Sequence, residues 1–364
     1  MKKTVFASAF GLLFLTGFIS FVNVRPSFAE HTVLALGVPA VGATLSGPLE
    51  RKIMFVLPSS INPPHCWKDS AFWTGQELFY AISAISWTRL VGDPPAYTPD
   101  PECILPAGQI GPAFNIYSAV SQEGAWKATN LAINSAEHPL AGIKIDHDHM
   151  AYVAYEKTES NLGNIYLIDR VGPNSWSKAV PFAWNSSNCN DDNPDIYAEG
   201  AKIIFESNRD DAQGISCTAS HQKLWSSTFE HGNWSMPVPL TGSPASGKQS
   251  FQPWLDEKVG DLYWTADANT CGEGAMNCVV RAKLGRAGGG WSSEFEKVIM
   301  PAPLVPGSTN GKVVLVGEYS QANGYAFLVC GIAREADPKG NTPTLLDGRW
   351  EITMNVCVIP VGQD

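Results

Sequence analysis

The segment GNWSMPVPLTG, residues 232–242, joins a Gly-Asn turn to a single tryptophan, Trp234. The same arrangement, a turn followed at once by tryptophan, recurs along the chain. The five marker tryptophans are Trp126, Trp176, Trp234, Trp291 and Trp350. Their separations are 50, 58, 57 and 59 residues, so the chain contains an internal repeat of nearly constant length.

Three short apolar runs precede the marker tryptophan of each repeat. In the third repeat they are DNPDIYAEG (192–200), AKIIFES (201–207) and KLWSST (223–228). Short runs that are rich in β-branched and aromatic residues and bounded by Gly, Asn, Asp or Pro indicate strands. Each repeat therefore predicts four antiparallel strands, A to D, with strand D beginning at the tryptophan. Strand A of the fifth repeat is assigned to a degenerate run, APLVPGSTNG (302–311).

Four-stranded sheets that recur around an axis form a β-propeller. Because one blade cannot bury both of its faces, blades stack and large aromatic side chains fill the wedges between them. We therefore predict an all-β, five-bladed propeller whose marker tryptophans are wedges rather than sugar-stacking platforms. The predicted blades cover residues 60–135, 136–188, 189–246, 247–303 and 304–360. The run RKIMFVLPSS (51–60) is predicted to add a strand to the last blade and close the ring; a sixth blade would need more strands from residues 30–60.

The composition of the 364-residue chain is typical of an exported, turn-rich β protein, with 33 Gly, 26 Pro and only 16% charged residues. A formal net charge of −10 argues against nucleic acid or an anionic membrane as partner. Residues 1–29 are predicted to be a signal peptide cut after Ala29, with an uncleaved anchor as the alternative. Residues 30–59 form an N-terminal segment and residues 60–364 the propeller domain, in a periplasmic or secreted protein with no later membrane span.

The eight cysteines are even in number and contain no C-x-x-C pair, which favours disulfides over a zinc site. The sequence alone does not determine their connectivity. The blade arrangement brings neighbours in the chain close together and so predicts local pairs. The predicted pairs are Cys66–Cys103, Cys189–Cys217, Cys271–Cys278 and Cys330–Cys357.

The connections between the second and third strands of several blades are long, at 84–114, 207–222 and 268–277. In a propeller these connections share one face, which we call the loop face, with the links between blades. Long loops on a rigid scaffold usually form a binding surface. Three of the predicted disulfides would hold these loops in place.

The third repeat also carries a distinctive motif, made of Asn193-Pro194, Gly200, Phe205–Arg209 and Leu224-Trp225. It resembles the Pro-Asp propeller repeats of the TolB protein and related periplasmic proteins. The likeness is fair in the second and fourth repeats and poor in the first and fifth. It implies a propeller fold but no particular function, because such repeats occur in scaffolds, binders and enzymes.

Polar side chains near the loop face of the inner strands are expected to converge on the axis. The candidates are His65, Asp69, Glu137, His138, His147, Asp148, His149, Asp191, Asp192, Asp195, Glu206, Arg209, Asp210, Gln249 and Gln252. The main hypothesis is a binder without catalysis, which holds an envelope protein, a glycan or a small ligand through Asp192, Glu206, Arg209 and Asp210. It needs only a rigid face decorated with loops, and no nucleophile or phosphate-binding motif is found.

A glycoside hydrolase is the alternative hypothesis. The five-bladed arabinanase-like families use three carboxyl groups at the inner ends of the first three blades, and two of them supply the acid and the base. The positions that resemble them most are Asp69 as base, Asp148 as orienting group and Glu206 as acid. In those families a proline follows the base, whereas Ser70 follows Asp69 here.

A metal site is the second alternative. His147 and His149 lie two residues apart and would point to the same side of a strand, where they could bind copper or zinc with a third ligand such as His65 or His221. The competing interpretation is a polar turn between strands A and B, on the face opposite the long loops. Calcium binding by the carboxylates of DDNPD and NRDD is a weaker variant. No cofactor is otherwise predicted.

Overall fold

The runs of β-branched and aromatic residues form the predicted strands in the structure, a computed structural model. It describes residues 54–88, 96–99, 102–105, 114–123, 125–134, 138–155, 162–218, 222–240, 250–272, 277–283, 291–292, 294–299, 312–335 and 350–361. The predicted signal peptide (1–29) and the degenerate run 302–311 lie outside these residues. Within the described part of the chain, no helix has the length and apolar character needed to cross a membrane.

Five antiparallel sheets form the blades. After β1 (Phe55–Val56), blade one contains β2 (Trp67–Trp73), β3 (Leu78–Ser83), β6 (Asn115–Gln122) and β7 (Ala125–Asn130), with the hairpin β4 (Ile85–Thr88) and β5 (Ala96–Pro99) between β3 and β6. Blade two contains β8 (Leu140–Asp146), β9 (His149–Tyr155), β10 (Gly163–Gly172), β11 (Ser175–Trp176) and β12 (Val180–Pro181). Blade three contains β13 (Asp191–Tyr197), β14 (Lys202–Ser207), β15 (Lys223–Glu230), β16 (Asn233–Trp234) and β17 (Val238–Pro239).

Blade four contains β18 (Ser250–Asp256), β19 (Asp261–Asp267), β20 (Asn277–Ala282) and β21 (Glu296–Ile299), with the one-turn helix α1 (Ala268–Cys271) after β19. Blade five contains β22 (Lys312–Ala322), β23 (Tyr325–Glu335), β24 (Trp350–Pro360) and the N-terminal strand β1. The inner strands β2, β8, β13, β18 and β22 contact one another in a closed ring. The prediction of an all-β, five-bladed propeller is confirmed.

The ring is closed by β1, which pairs with β24 through Phe55↔Val358 and Val56↔Cys357. The predicted ring-closing strand is therefore confirmed, but the strand order predicted for blade five was wrong by one position. Residues 312–318 belong to the inner strand, and Trp350 begins the third strand instead of the outermost. The assignment of strands by the repeat was wrong in this blade because its outermost strand is β1, which precedes blade one in the chain.

Every inner strand contains a β-bulge at the same level of the axis. The strand pairing shifts at Ser70, Gly142, Asn193, Gln252 and Glu318. All five residues adopt a left-handed backbone, with φ between 42° and 60°. Left-handed geometry is unusual outside glycine, and a bulged residue has no partner in the strand ladder. Five backbone N–H groups at this level therefore need acceptors other than the sheets.

Three of the marker tryptophans act as wedges between blades, as predicted. Trp126 contacts Phe327 of blade five at 6.3 Å, Trp176 contacts Phe79 of blade one at 6.4 Å, and Trp234 contacts Phe182 of blade two at 4.7 Å, measured between ring centroids. Each indole thus packs on the preceding blade. Trp291 donates from Nε1 to the carbonyl oxygen of Gly260 in its own blade.

The eight cysteines pair as predicted. The bridges are Cys66–Cys103, Cys189–Cys217, Cys271–Cys278 and Cys330–Cys357. The first two tie the start of an inner strand to a loop of the loop face, and the third ties the one-turn helix α1 to the start of β20. The fourth links the second and third strands of blade five, β23 and β24, rather than the third and fourth.

Replacing Trp126 with alanine removes an indole that is 6% exposed and lies against Trp73 and Phe327. Loss of a buried aromatic side chain costs about 3–5 kcal/mol, so we expect the free energy of unfolding in urea to fall by roughly that amount. Val180→Ala, at a 60% exposed position of blade two, is the control and should change it by less than about 0.5 kcal/mol. Equal effects of the two substitutions would contradict the wedge role.

Candidate active site

Four acidic side chains from three blades meet at the loop-face end of the axis. They are Asp69 of β2, Asp192 of β13, Glu206 of β14 and Glu318 of β22. The charges of Asp192 and Asp69 act on Glu206, and the charge of Asp69 acts on Glu318. We call these four residues the axial cluster.

The bulges explain why acceptors collect at this level. The N–H of Ser70 donates to Asp69 Oδ1 at 2.9 Å, and that of Asn193 donates to Asp192 Oδ1 at 2.8 Å. The remaining three bulge N–H groups donate to side chains of the preceding blade. Gly142 bonds Ser70 Oγ (2.6 Å), Gln252 bonds Glu206 Oε2 (2.8 Å) and Glu318 bonds Gln252 Oε1 (3.2 Å). Three of the five acceptors are thus carboxylates of the axial cluster.

Glu206 is an acid with a strong tendency to keep its proton. Its side chain is buried, and burial raises its pKa well above the usual range. The neighbouring charge of Asp192 raises the pKa further, while the hydrogen bonds from Gln252 and Asn193 lower it. Glu206 therefore retains its proton to a higher pH than an exposed glutamic acid does.

Asp192 is held by polar neighbours on three sides. Tyr155 at the end of β9 donates its hydroxyl to Asp192 Oδ2 at 2.7 Å, and Asn190 donates from Nδ2 to the same oxygen at 3.3 Å. Burial raises the pKa of Asp192, and these hydrogen bonds oppose the rise. Burial and the charge of Asp192 also raise the pKa of Tyr155 well above its usual value, so its hydroxyl remains a donor.

The side chains in and beside the cluster are buried to different degrees. Asp69, Asn193 and Gln252 are half-buried, whereas Asp192, Glu206 and Glu318 are buried. A ligand entering along the axis would therefore meet Asp69 first, with the more buried acids around and below it.

A second layer closes the axis beneath the cluster. Lys144 of β8 is buried there, with its Nζ 3.5 Å from the carbonyl oxygen of Tyr319 and 5.2 Å from the centre of the Phe72 ring. Asp195 accepts from the N–H of Leu255 at 2.6 Å, and burial raises its pKa to about 7. Because this layer is filled by buried side chains, access to the axial cluster is from the loop face.

The structure brings together two members of the predicted hydrolase triad and separates the third. Asp69 and Glu206 both belong to the axial cluster. Asp148 lies in the exposed turn between β8 and β9, at the opposite end of the inner strand, so its predicted orienting role was wrong. Asp192, which sequence analysis placed among the ligand-binding residues, occupies the place beside Glu206 instead.

Arg209 was predicted to bind ligand, and the structure contradicts this. Its guanidinium is completely buried and bonds both carboxylate oxygens of Asp191, at 3.2 and 2.5 Å. It also lies over the rings of Trp184, Phe205 and Trp225. Arg209, the last residue of the Phe205–Arg209 part of the motif, thus forms an internal ion pair and is too deeply buried to contact a ligand.

Asp210, the next residue, is exposed in the loop between β14 and β15. Its Oδ2 accepts hydrogen bonds from Ser216 and Thr218 at 3.1 and 2.8 Å. It therefore shapes its own loop and is not part of the axial cluster.

The histidines proposed as metal ligands do not converge. His147 and His149 lie at the turn between β8 and β9 and contact separate carboxylates, Asp146 at 2.6 Å and Asp169 at 2.7 Å. His65 precedes β2, at the opposite end of the blades, and contacts Glu102 at 3.2 Å. In the described ranges no group of three or more His, Cys, Asp or Glu could hold a metal ion. Glu137, His221 and Gln249 lie outside those ranges.

Glu318 and Tyr155 were missed by sequence analysis. Glu318 was overlooked because its run was assigned to the second strand of blade five, so its place in the bulge of an inner strand was not recognised. Tyr155 is the last residue of the second strand of blade two. When the second strands of blades two and three are aligned, Tyr155 corresponds to Glu206, and this alignment is the signal that could have found it.

No protein-family model matches the chain, and no curated protein sequence matches it. Solved structures with a similar fold include "Bacteroides ovatus Xyloglucan PUL GH43B", with 13% identity, a TM-score of 0.44 and coverage of 85% of this chain and 55% of that chain. A xylan β-1,4-xylosidase from Bacillus halodurans has 12% identity, a TM-score of 0.43 and coverage of 81% and 54%. A "GH43_12 retrieved from capybara gut metagenome" has 13% identity, a TM-score of 0.46 and coverage of 86% and 54%. The chain spans about half the length of each, and at these identities the likeness describes the fold alone.

The hypothesis of a binder without catalysis was wrong as the main interpretation. The residues assigned to it do not form a common surface, since Arg209 is internal and Asp210 lies in a separate loop. The axis instead gathers buried carboxyl groups, which are the groups of acid–base chemistry.

Arg209→Met leaves the buried Asp191 carboxylate without its partner. We expect the free energy of unfolding in urea to fall by about 3–5 kcal/mol. Because protonation removes the unpaired charge, the loss should shrink as the pH falls below the pKa of Asp191, which burial already raises. The double variant Arg209→Met/Asp191→Leu should recover part of the loss. A single variant as stable as the wild type would contradict the structural role.

Proposed function

We propose that the protein is a glycoside hydrolase that works at the axial cluster from the loop face. The observation that carries this proposal is the convergence of Asp69 with Glu206 and Asp192 at the solvent-accessible end of a closed axis. Hydrolysis of a glycosidic bond needs one carboxyl group to protonate the leaving oxygen and a second on the other side of the bond. The cluster supplies both, in different environments.

Glu206 is assigned the role of general acid. A general acid must hold its proton at the working pH, and burial together with the charge of Asp192 raises the pKa of Glu206 in the required direction. Its Oε2 accepts from the N–H of Gln252, so the proton to be donated is placed on the other oxygen, Oε1. In the reaction this proton passes to the leaving sugar oxygen.

Asp69 is assigned the role of base or nucleophile. It is the most accessible acid of the cluster, and its carboxylate is fixed from behind by the N–H of Ser70. As a base it takes a proton from the attacking water; as a nucleophile it forms a bond to the sugar that water then breaks. The anomeric form of the product, observed by NMR during early turnover, distinguishes the two routes.

Asp192 is assigned the orienting role that was predicted from the sequence for Asp148. Its charge beside Glu206 supports the protonated state of that acid, and its hydrogen bond from Tyr155 fixes its position. Two acids near each other with separated tendencies to ionise are typical of catalytic carboxyl pairs.

Export is proposed together with this activity. The four disulfides agree with an oxidising compartment. The leader at 1–29, the domain boundaries at 30–59 and 60–364, the TolB-like character of the repeats and a periplasmic or secreted location are parts of the proposal. A glycan outside the cytoplasm is the expected substrate.

Asp69→Asn and Glu206→Gln should each lower kcat/KM for glycan hydrolysis by about 10²–10⁴-fold, because acid–base catalysis contributes that much. The assay panel is aryl xylosides and arabinofuranosides, followed by xylan and arabinan. Asp148→Asn, an exposed carboxyl at the other end of the blades, is the matched control and should stay within about twofold of wild type. Activity should be lost as the pH rises through the raised pKa of Glu206, since only the protonated acid can donate.

Wild-type protein that hydrolyses none of these glycans would argue against the assignment. Equal rates for Asp69→Asn, Glu206→Gln and the wild type would exclude the axial cluster as the site.

A further inference from the structure

The axial cluster contains one carboxyl group that the proposed hydrolysis leaves without a role. Glu318 lies in the left-handed bulge of β22 and is 2% exposed. Its side chain lies beside that of Asp69, the proposed base or nucleophile, and the inner strands that carry them are joined by a hydrogen bond from the N–H of Trp73 to Ser320 Oγ at 2.9 Å. The inference below concerns this pair and rests on the proposed function.

A hydrogen bond between two carboxyl groups requires a proton on one of them. Asp69 is half-buried and has access to water, whereas Glu318 is buried. Burial disfavours the charged form, so the more buried partner retains the proton. Glu318 is therefore the donor and the Asp69 carboxylate the acceptor.

The other contacts of Glu318 agree with a neutral carboxylic acid. Gln252 donates from Nε2 to Glu318 Oε1 at 3.0 Å. Burial and the charge of Asp69 raise the pKa of Glu318 well above its usual range, and the charge of Lys144 beneath it opposes this rise. Oε1 thus accepts, and the second oxygen is left to carry the proton.

Other charged groups surround the pair on every side. Asp192 and Glu206 approach from blade three and Tyr155 from blade two, and the charge of Asp69 acts on all three of them. Lys144 faces Glu318 from blade two and is itself shared with Asp195 of blade three. The acids outnumber the single lysine, so this environment favours a proton on the most buried member.

We propose that Glu318 is a positioning residue that stays protonated and donates a hydrogen bond to Asp69, fixing the carboxylate that acts on the substrate. The N–H of Ser70 and the O–H of Glu318 hold Asp69 from the strand side, so that its remaining acceptor capacity faces the opening. Glu318 does not itself contact the sugar; its contribution is the orientation and charge of Asp69.

Glu318→Gln and Glu318→Leu form the matched pair of variants. A glutamine amide donates to Asp69 and accepts from Gln252 as a protonated glutamic acid does, but it cannot ionise. We expect Glu318→Gln to keep kcat within about threefold of wild type, and Glu318→Leu to lower kcat by roughly 30-fold or more with little change in KM. A merely space-filling role predicts the reverse order, because leucine fills the buried position without a polar group.

The protonation state is measured directly by carbon-13 NMR of protein labelled at the glutamate side-chain carboxyl. At neutral pH, wild-type protein should show a resonance at the protonated position that disappears in Glu318→Gln; Glu206→Gln identifies the signal of the second buried acid. This measurement needs no substrate and no stable leucine variant. It therefore stands even when no glycan is hydrolysed, an outcome that would remove the proposed function alone.

Two results would overturn the inference. One is a Glu318 resonance at the ionised position at neutral pH. The other is Glu318→Gln being as impaired as Glu318→Leu in kcat while both remain folded, which would mean that a neutral donor at this position does not support Asp69.

Discussion

The five bulge N–H groups at one level of the axis are the constraint on which the rest of the structure depends. A bulged residue has no ladder partner, and a buried N–H without an acceptor costs about 1–3 kcal/mol. Each of the five finds a side-chain oxygen, from Asp69, Ser70, Asp192, Glu206 or Gln252. Three of these hydrogen bonds also join neighbouring blades: one to two, three to four and four to five. They therefore hold the ring together as well as supplying acceptors for the bulge N–H groups.

This arrangement places acidic groups where water is scarce. Glu206 accepts the N–H of the bulge residue Gln252 and Glu318 occupies a bulge itself; both are buried, and burial raises the pKa of both. Burial of these groups favours their protonated forms, which is the state that the proposed acid role of Glu206 requires. Lys144 and Asp195 close the axis below, which leaves the loop face as the approach for a substrate.

The parts of the fold that could be read from the chain are those set by local pattern. The recurrence of Trp126, Trp176 and Trp234 predicts blades and wedges because each indole packs on the adjacent blade in a periodic array. The cysteine pairs follow for a related reason: in a repeat fold, residues near in sequence lie in the same blade. The strand order of blade five could not be read in this way, since β1 reaches it from the other end of the chain.

The sequence by itself determined that this is a five-bladed, disulfide-bonded β-propeller with Asp69 and Glu206 near its axis, because strand pattern, turn residues and period are local properties. Only the tertiary structure decided which further groups join them. Asp148 follows the end of the inner strand β8, whereas Asp192 lies at the start of the inner strand β13, so the two acids are at opposite ends of the blades. Glu318 and Asp69 are 249 positions apart in the chain and meet only because the ring closes. The protonation states of the axial acids depend on that closure, because the burial and the neighbouring charges of each acid come from several blades.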